Sequence, residues 1–424
     1  MTVVESSLWQ EQAPMPASLG ADPLPASTDV AVIGAGYTGL GAAHKLKQLG
    51  MDVVVIDQHA IGWGASSRNG GKALVGLKND ASKVVQTYGR EQGEALWRAS
   101  VAGIDMVESI VRKEGIDCEF ERSGSVYLAC KPAHFDAMQR ETEWLASNFG
   151  YHRTDVAPSE LADEIGTDAY SGGTIDPTSA GLHPAKWVRG LAEIAARNGV
   201  TLCARNLVLN VDRVGTRWLV RTTKGVMDAA EVLIATNGYT GEMVPGIQRR
   251  VLPVGSYIIA TEPLDSALQK VLSPRRRMFY DSNWFLKYFR ITSDGRMLFG
   301  GRTTISPDQD LAQSAAILQR DMVAMFPALA GVEISHSWSG QLGVTFDSMP
   351  HIGRQDGLWY ALGYGGHGVA LSTLFADHVA HLIAGKRDSS VFMDIPHATR
   401  FFYRGNPWFR PMLGWGLRAL DRFR

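Results

Sequence analysis

The sequence predicts an α/β fold in which a discontinuous domain built on a parallel sheet is joined to an α+β domain built on an antiparallel sheet. Strand–glycine turn–helix units at residues 29–57 and 358–385 predict the parallel sheet, because each opens with a short apolar run and continues with helical spacing. Alternation of apolar and polar residues across 251–302 predicts the antiparallel sheet. At 424 residues, the chain is long enough for two domains or one large discontinuous domain.

The first unit, residues 29–57, has the order strand, tight turn, helix, strand and acid. Three glycines follow the first strand in GxGxxG spacing, namely Gly34, Gly36 and Gly39. Gly34 permits the sharp turn, Gly36 lets the backbone approach a pyrophosphate, and Gly39 lets the helix pack closely on the strand. Asp57 ends the second strand, where a carboxylate accepts hydrogen bonds from ribose hydroxyls. The unit predicts a Rossmann-like site for an ADP-containing cofactor rather than an ordinary glycine-rich turn, and the charge of Asp57 disfavours a 2′-phosphate.

Composition and charge exclude several classes of protein. Hydrophobic residues make up 45% of the chain and charged residues 20%, as in globular proteins, and the formal net charge of −1 gives no reason to expect nucleic acid as a partner. The cysteines Cys118, Cys130 and Cys203 are widely spaced, which predicts free thiols and no metal site. No apolar run approaches the ~20 residues of a membrane span, and the N-terminus lacks the pattern of a signal peptide. These absences predict a cytoplasmic protein.

A polar loop, QHAIGWGASSRNGG at residues 58–71, follows the ribose acid and is too rich in Gly and Ser for a strand. Its hydrogen-bond donors and its glycines that allow close approach to a flat ring are Ser66, Ser67, Arg68, Asn69, Gly70 and Gly71. The loop is predicted to make a second contact on the phosphate side of the cofactor. The alternative is a solvated surface loop.

Together, the opening unit and the GWGASSRNGG stretch resemble the FAD-dependent oxidoreductases of the D-amino-acid oxidase superfamily. Within that superfamily, the chain is most similar to the γ-glutamylputrescine oxidase branch, which oxidises amines. The resemblance continues to the C-terminus and covers nearly the whole chain. It implies FAD rather than NAD, because the SRNGG-type loop of the family lies beside the flavin.

The resemblance also implies roles for two inner segments. In the family, the strand that matches residues 200–210 returns to the nucleotide domain and its backbone meets the adenine, a position that falls on Val208. The strand at 231–236 is followed by Asn237 and Gly238, small enough for the chain to turn over the pyrophosphate and ribityl region. If Val208 has no such role, its side chain is simply part of the core.

In the second unit, residues 358–385, a glycine turn lies between the strand and the helix. It contains Gly363, Gly365, Gly366 and Gly368. The N-terminus of that helix suits a negative charge, such as the one that a reduced flavin carries near its pyrimidine carbonyl. His367 lies inside the turn and is a candidate for contact with flavin or substrate. The alternatives are a structural histidine and a core helix with a flexible start.

The predicted cofactor-binding residues come from the glycine turns, the loop, the inner strands and the C-terminal half. They are Gly34, Gly36, Tyr37, Thr38, Gly39, Asp57, Gln58, Ser66, Ser67, Arg68, Asn69, Gly70, Gly71, Val208, Ala235, Thr236, Gly238, Gly340, Gly365, Gly366, His367, Gly368 and Val369.

The pattern and the resemblance divide the chain into an arm, two discontinuous domains and a tail. The predicted divisions are an extended arm at 1–28, an FAD-binding domain at 29–80, 151–245 and 338–400, a substrate-binding domain at 81–150 and 246–337, and a C-terminal tail at 401–424.

The antiparallel sheet supplies candidates for the substrate side. Aromatic area there is supplied by Tyr257, Trp284, Phe285, Tyr288 and Phe289. Lys287 and Tyr257, with His367, are the predicted catalytic residues, on the expectation that they reach the flavin cavity. The alternative for Lys287 and Tyr257 is packing within the sheet or exposure to solvent.

Three departures from the relatives bear on substrate and cofactor. Amino-acid-oxidising relatives grip the substrate carboxylate with two arginines, and Leu342 and Gly366 stand at the matching positions. Without a bidentate guanidinium, an amine whose reacting carbon carries no carboxylate is the expected substrate, unless Arg290 takes that role. No cysteine follows Cys203 and no histidine occupies the SSRNGG stretch, so the tethers of some relatives are missing and FAD is predicted to be non-covalent.

The resemblance implies hydride transfer from a γ-glutamyl-polyamine-like or other amine to flavin, giving an imine and then an aldehyde, with oxygen reduced to hydrogen peroxide. One alternative is an amino-acid or N-methyl-amino-acid dehydrogenase that passes electrons to a quinone or protein acceptor. Another is a flavoprotein subunit without turnover. The tail mixes aromatic residues with arginines, which is compatible with contact with a membrane surface or with docking on the body or a partner subunit.

Overall fold

The computed structural model describes residues 3–423, which form two large sheets with helices packed on them. The strands are β1 Ser27–Ile33, β2 Val53–Ile56, β3 Lys72–Ala73, β4 Ser125–Leu128, β5 Thr154–Val156, β6 Gly173–Asp176, β7 Ala180–Gly181, β8 Thr201–Cys203, β9 Val208–Val214, β10 Arg217–Thr222, β11 Gly225–Ile234, β12 Leu252–Thr261, β13 Met278–Asp281, β14 Lys287–Ile291, β15 Met297–Gly301, β16 Ile334–Val344, β17 His351–Gln355 and β18 Leu358–Leu362. The helices are α1 Leu8–Gln12, α2 Tyr37–Gln48, α3 Ala81–Tyr88, α4 Arg90–Glu114, α5 Pro132–Phe149, α6 Pro184–Arg197, α7 Pro245–Gln248, α8 Ser266–Leu272, α9 Leu311–Met325, α10 Gly368–Ile383 and α11 Arg410–Phe423.

The nucleotide sheet has the strand order β17-β18-β11-β1-β2-β8, with the hairpin β9–β10 joined to β11. Strands β18, β11, β1, β2 and β8 pair in parallel, which agrees with the parallel sheet predicted from the apolar runs. Ile33 is paired with Ile234, and Ile234 with Tyr360. The turns that follow β1, β11 and β18 therefore meet at the carboxyl edge of one sheet, where ligands bind in open α/β sheets.

The second sheet has the order β16-β12-β15-β14-β13-β4-β6-β5. Its pairs are antiparallel, as predicted, except that β4 and β13 pair in parallel. A hairpin with Asp294 and Gly295 in its turn joins β14 to β15, with Ile291 paired to Met297. A core that includes the stacked rings of Phe279, Phe289 and Phe299 lies on one face of this sheet.

Two segments pack against a different domain from the one to which the sequence assigned them. Helix α4, drawn with the substrate domain, packs on α10 of the nucleotide domain, and Gly103 makes this close approach possible because an added Cβ would lie 3.0 Å from the carbonyl oxygen of Ala370. Strands β5 and β6, drawn with the nucleotide domain, pair in the second sheet.

Two local predictions are wrong. Residues 200–210 form two strands, β8 and β9, because the chain between them turns back to bond the loop after β2: Arg205 N–H donates to the carbonyl of His59 at 2.8 Å, and Asn206 N–H to that of Asp57 at 2.9 Å. The arm at 1–28 is not simply extended, since it contains helix α1. Trp9 of this helix is buried and donates its indole N–H to the carbonyl of Asn69 at 3.0 Å.

Candidate functional site

A cavity of about 820 Å³ lies between the carboxyl edge of the nucleotide sheet and one face of the second sheet. This volume is large within the range of about 300–1,000 Å³ that is usual for small-molecule sites. Nineteen of the predicted cofactor-binding residues line it: Gly34, Gly36, Tyr37, Thr38, Asp57, Gln58, Ser66, Arg68, Asn69, Gly70, Val208, Ala235, Thr236, Gly340, Gly365, Gly366, His367, Gly368 and Val369.

The first glycine turn leaves space at the start of α2 that any larger residue would fill. An added Cβ on Gly36 would lie 2.8 Å from the Ser66 hydroxyl oxygen, and that hydroxyl accepts a hydrogen bond from the N–H of Tyr37 at 3.0 Å. Gly34 has a φ of +108°, and an added Cβ there would lie 2.8 Å from the carbonyl oxygen of Ala235. The N-terminus of α2 therefore faces the cavity with no side chain at Gly34 or Gly36 in the way, which suits anion binding at a helix N-terminus.

Asp57 is held against this turn from two sides. Its carboxylate accepts hydrogen bonds from the N–H groups of Ala35 and His59, both at 2.8 Å. Burial raises the pKa of Asp57, while these two hydrogen bonds oppose the rise. The carboxylate lines the cavity with a fixed orientation, in which its remaining lone pairs can accept ribose hydroxyls.

The polar side chains of the SSRNGG stretch mainly hold the loop in shape. The Asn69 side chain donates to the Tyr37 hydroxyl at 3.1 Å and accepts the N–H of Gly71 at 2.8 Å. The Arg68 guanidinium donates to the carbonyl of Trp63 at 2.9 Å and lies 4.3 Å from the centre of the Trp63 ring. The loop therefore presents a rigid, largely backbone surface to the cavity.

The second glycine turn, at the start of α10, meets the first one. Thr38 of α2 and Tyr364 of this turn share a hydrogen bond of 2.7 Å between their hydroxyls. Gly365 and Gly366 have φ values of +57° and +115°, which allow the backbone to bend around the cavity without a side chain. The two units, more than 300 residues apart, form one binding surface.

His367 lines the cavity from this turn, and its Nδ1 is buried without a hydrogen-bond partner among the described residues. Burial, with the nearby charge of Lys78, lowers its pKa to about 4. The imidazole is therefore neutral at pH 7. Lys78 also lines the cavity. Burial, together with the charge of Arg302, lowers the pKa of Lys78 to about 8.

Four predicted cofactor-binding residues shape the cavity from behind rather than line it. They are Gly39, Ser67, Gly71 and Gly238. An added Cβ on Gly39 would lie 1.9 Å from the carbonyl oxygen of Gly34, so this glycine lets α2 pack on the turn. The Ser67 hydroxyl donates to the carbonyl of Gly62 at 2.6 Å. The carbonyl of Gly71 accepts a hydrogen bond from Arg290 at 2.8 Å.

Two of the three predicted catalytic residues do not line the cavity. Lys287 forms an ion pair with Asp321 of α9, on the far side of the second sheet. Tyr257 is buried in the core of that sheet, and its hydroxyl donates to the carbonyl of Ser306 at 2.8 Å. These contacts correspond to the alternative of packing within the sheet, and only His367 of the three faces the cavity.

A row of tyrosines forms a cavity wall that the sequence analysis missed, except for Tyr288. Tyr288, Tyr280 and Tyr127 are cross-strand neighbours on β14, β13 and β4, and all three line the cavity. The rings of Tyr127 and Tyr280 are stacked with their centres 4.8 Å apart. Tyr288 marks the cofactor end of the row, because an added Cβ on Gly70 of the loop would lie 3.1 Å from its ring.

Charged side chains surround the far end of the tyrosine row. Arg153 lines the cavity, and its Nε is buried without a hydrogen-bond partner within residues 3–423. Glu141 lines the cavity beside it and accepts hydrogen bonds from the backbone and side chain of Ser82, the backbone one at 3.2 Å. Burial raises the pKa of Glu141, Asp80 adds to the rise, and Ser82 and Arg153 oppose it. Arg153 stands in an irregular segment, where no sequence signal marks it.

Lys72, also missed, lines the cavity at the cofactor end. Its ammonium donates to the carbonyl of Phe279 and lies 4.7 Å from the centre of the Tyr288 ring. Burial, together with the charge of Arg290, lowers its pKa well below the usual range. Lys72 directly follows the SSRNGG stretch in the sequence, and this position could have marked it as a residue of the cavity.

These residues fit FAD. The cavity contains a helix N-terminus flanked by glycines, which would hold the pyrophosphate, and a fixed carboxylate, which would accept the ribose hydroxyls. At its other end lies a second helix N-terminus with an unpartnered imidazole nitrogen. Within residues 3–423, no group of acidic, histidine and cysteine side chains is arranged to hold a metal ion. No helix of the same residues has the length and apolar character to span a membrane.

Comparisons with known proteins identify close relatives. The chain is 31% identical over 374 residues to γ-glutamylputrescine oxidoreductase of Escherichia coli strain K12, a match that covers 87% of each chain. It is 34% identical over 364 residues to a probable oxidoreductase, OrdL, of Haemophilus influenzae, with 84% of this chain and 83% of the relative covered.

The fold is also that of known structures. Glycine oxidase from Geobacillus kaustophilus superposes with a TM-score of 0.77 at 20% identity, covering 89% of this chain and 99% of that one. L-Proline dehydrogenase from P. horikoshii superposes with a TM-score of 0.72 at 23% identity, and the match covers 86% of this chain and 95% of that one. Residues 29–382 match the family model described as DAO, FAD dependent oxidoreductase. The chain belongs to this family and is an FAD-dependent oxidoreductase.

Proposed function

We propose that the protein oxidises the terminal amine of an extended substrate whose far end carries an amino-acid head, as a γ-glutamyl-polyamine does. The observation that carries this proposal is the tyrosine row that leads from the cofactor end of the cavity to Arg153, whose buried Nε has no partner among the described residues. The similarity to γ-glutamylputrescine oxidoreductase of Escherichia coli supports the same substrate class.

The dimensions of the row support an elongated substrate. Neighbouring strands lie about 4.8 Å apart, so the step from Tyr288 on β14 to Tyr127 on β4 spans about 10 Å. A four-carbon diamine joined through an amide to a glutamyl side chain has a comparable length. Its alkyl chain would lie along the tyrosine rings, which offer apolar area to the methylene groups.

The charges at the far end match an amino-acid head. The guanidinium of Arg153 suits a carboxylate, and the carboxylates of Glu141 and Asp80 suit an ammonium group. The Nε of Arg153 is buried without a hydrogen-bond partner among the described residues, and a buried donor is costly to leave unpaired. A zwitterionic head would supply the missing partner.

The cofactor end supports an amine without a neighbouring carboxylate. Leu342 lines the cavity and packs against the apolar cluster that includes Val254 and Ile305, and Gly366 contributes no side chain. Arg290, the arginine considered as a substitute, is buried outside the cavity lining, where it donates to the carbonyls of Gly71 and Leu182. No bidentate clamp stands at the positions where amino-acid-oxidising relatives have one.

The side chains of this chain prepare the amine for oxidation. When bound, FAD supplies the electron acceptor, which takes a hydride from the carbon next to the amine nitrogen and passes the electrons to oxygen or another acceptor. The positive charge of Lys78, whose pKa of about 8 leaves it mainly protonated at pH 7, favours the neutral, reactive form of the amine over the ammonium. The neutral imidazole of His367 can accept a hydrogen bond from the amine through its unpartnered Nδ1.

A second candidate is the oxidation of an amino acid or an N-methyl amino acid. It rests on Lys78 and Arg302, two cations that line the cavity close enough for the charge of Arg302 to lower the pKa of Lys78. Arg302 donates to the carbonyl of Trp284 at 2.9 Å, which leaves other guanidinium N–H groups for a carboxylate. In this case Lys78 and Arg302 would replace the missing clamp.

A substrate panel with purified holoenzyme separates these candidates. The panel contains a γ-glutamylated diamine, the free diamine and a set of α-amino and N-methyl amino acids, with peroxide formation and dye reduction measured in parallel. We expect the γ-glutamylated diamine to give the highest kcat/KM, with peroxide as a product. Turnover of amino acids alone would support the second candidate, and dye reduction without peroxide would contradict oxygen as the acceptor. A flavoprotein that no compound reduces would be a subunit without turnover.

A further inference from the structure

We propose that the C-terminal segment, residues 401–423, binds the surface of a membrane that contains anionic lipids. This binding is independent of the substrate proposed above. The segment consists of an aromatic stretch followed by helix α11 and lies beside the cavity. Its apolar side chains, its charges and its attachment to the body each support this role.

Apolar side chains of this segment are exposed to an unusual degree. Phe401 is 91% exposed, Trp408 60%, Met412 61% and Trp415 77%. On α11, Met412, Trp415 and Leu420 lie on the side opposite to the packed residues Gly414 and Leu417. The outer face of the helix is therefore apolar and carries Trp415, and Trp408 lies just before the helix. Tryptophan is enriched where lipid headgroups meet hydrocarbon.

The charges of the segment identify its partner as anionic. Four arginines stand in the segment, at Arg404, Arg410, Arg418 and Arg422, and Arg400 directly precedes it. None of them has a carboxylate partner among the described residues, and Arg400 and Arg418 donate to backbone carbonyls. Asp421 is the only acid in this stretch, whereas the chain as a whole has a formal net charge of −1. Arginines that flank an exposed apolar helix face are the pattern of helices that lie on anionic membranes.

The packed side of α11 is anchored to the cavity wall. The Asp421 carboxylate accepts the N–H groups of Trp284 and Phe285 at 2.7 and 2.9 Å. Arg418 donates to the carbonyl of Thr303 at 2.6 Å and covers the ring of Phe285. Trp284 itself lines the cavity. The helix is thus fixed with its apolar face outward, and membrane binding would bring this wall of the cavity close to the lipid surface.

Vesicle binding tests the proposal directly. Holoenzyme is sedimented with phosphatidylcholine vesicles and with vesicles that also contain phosphatidylglycerol. We expect binding only when phosphatidylglycerol is present, a loss of binding at high salt, and a blue shift of tryptophan fluorescence on binding. Each arginine near an anionic surface strengthens binding about fivefold, so Arg404→Gln with Arg422→Gln should weaken it about 30-fold. Trp408→Ser with Trp415→Ser should weaken it at least about tenfold.

Val271→Ser is the matched control, since Val271 is 58% exposed and lies on α8, outside the segment. It should bind vesicles as the parent protein does. The proposal is overturned if no vesicles are bound, or if the tryptophan and arginine variants bind unchanged. It is also overturned if light scattering in the absence of lipid finds a dimer that Trp408→Ser with Trp415→Ser converts to a monomer, because a second copy would then cover this face.

Discussion

Tyr280 stacks on Tyr127 with the ring centres 4.8 Å apart, although the two residues lie on strands that are far apart in the chain. The contact exists because β4 and β13 pair in parallel, which aligns the two residues across the sheet. With Tyr288 on the next strand, the pair forms a wall between the cofactor end of the cavity and the charged residues at its far end. This wall is the basis of the substrate that we propose.

Replacing Arg153 tests the recognition of the amino-acid head. Arg153→Ala should raise KM for a γ-glutamylated diamine about 10- to 100-fold, because a hydrogen-bonded charge at a protein–ligand contact is worth about 1.5–3 kcal/mol. It should leave kcat nearly unchanged, and the kinetics of the free diamine should be unaffected. Steady-state measurements with both substrates give the comparison.

Arg189→Ala is a suitable control, since Arg189 pairs with Glu193 on the surface of α6. An equal rise in KM for the free diamine would mean that Arg153 supports the cavity without contacting the head. Partial recovery in Arg153→Lys would agree with a charge contact.

Restoring an arginine at position 342 should widen the substrate range. Leu342→Arg should allow glycine to reduce the flavin at least about tenfold faster than in the parent protein, because a guanidinium there supplies the missing carboxylate clamp. Anaerobic flavin bleaching gives the rates, and Leu342→Met keeps the volume without the charge. A stable, flavin-loaded arginine variant that no amino acid reduces would show that the carboxylate clamp is not at this position.

Gly36 should be essential for holding the cofactor. In Gly36→Val the side chain would start 2.8 Å from the Ser66 hydroxyl oxygen and fill the space at the N-terminus of α2. We expect the variant to fold, as judged by circular dichroism, but to be purified with less than about a tenth of the normal flavin. Gly416→Ala is the control, because an added Cβ there meets no atom within 4 Å. Normal flavin content in Gly36→Val would mean that the pyrophosphate does not bind here.

The depressed pKa of His367 has a consequence for the stability of the apoprotein. Its pKa of about 4 lies below the usual 6.5, so between these values the unfolded state binds more protons than the folded state. The stability is therefore complete above pH 6.5 and falls as the pH drops toward 4, by at most about 3 kcal/mol from this residue. His367→Asn should lose less stability over this range.

Urea unfolding of the two apoproteins at pH 7 and pH 5 provides the test for His367. Other buried histidines with lowered pKa values, such as His183 and His397, contribute to the decline in both proteins, so the difference between the proteins is the quantity of interest. Identical declines would contradict a neutral, buried His367.

The flavin should be removable without breaking a covalent bond. The chain has no cysteine after Cys203, and His59 and His367 are the histidines that line the cavity. Acid precipitation should leave the yellow colour in the supernatant, and the apoprotein should unfold at a lower temperature until FAD is added back. A yellow pellet would reveal a covalent attachment.

Much of the nucleotide site follows from local sequence. The turns at Gly34 and Gly36 and at Gly365 and Gly366 are needed wherever backbone must approach a ligand, so their glycines mark them in the sequence. Asp57 could be predicted because it ends a buried strand of a known unit. Each of these features depends on a short segment whose conformation is determined by its own sequence.

The substrate side could not be predicted in the same way. The tyrosine row depends on the parallel pairing of β4 with β13, and neither strand carries a signal for the other. Tyr288 lies on the cavity face of β14. Lys287, predicted to be catalytic, lies on the opposite face with Phe289, where it pairs with Asp321 of α9. Long-range pairing decides which face of a strand meets the cavity.

The most direct test of the proposed reaction is anaerobic bleaching of the flavin by two matched amines. One is N-γ-glutamyl-1,4-diaminobutane, and the other is N-butanoyl-1,4-diaminobutane, which has the same chain without the amino and carboxylate groups of the head. The account predicts that both bleach the flavin at saturation and that the headless amine requires a concentration at least about tenfold higher. Bleaching by neither amine would contradict amine oxidation, and equal concentration dependence would contradict recognition of the head by Arg153.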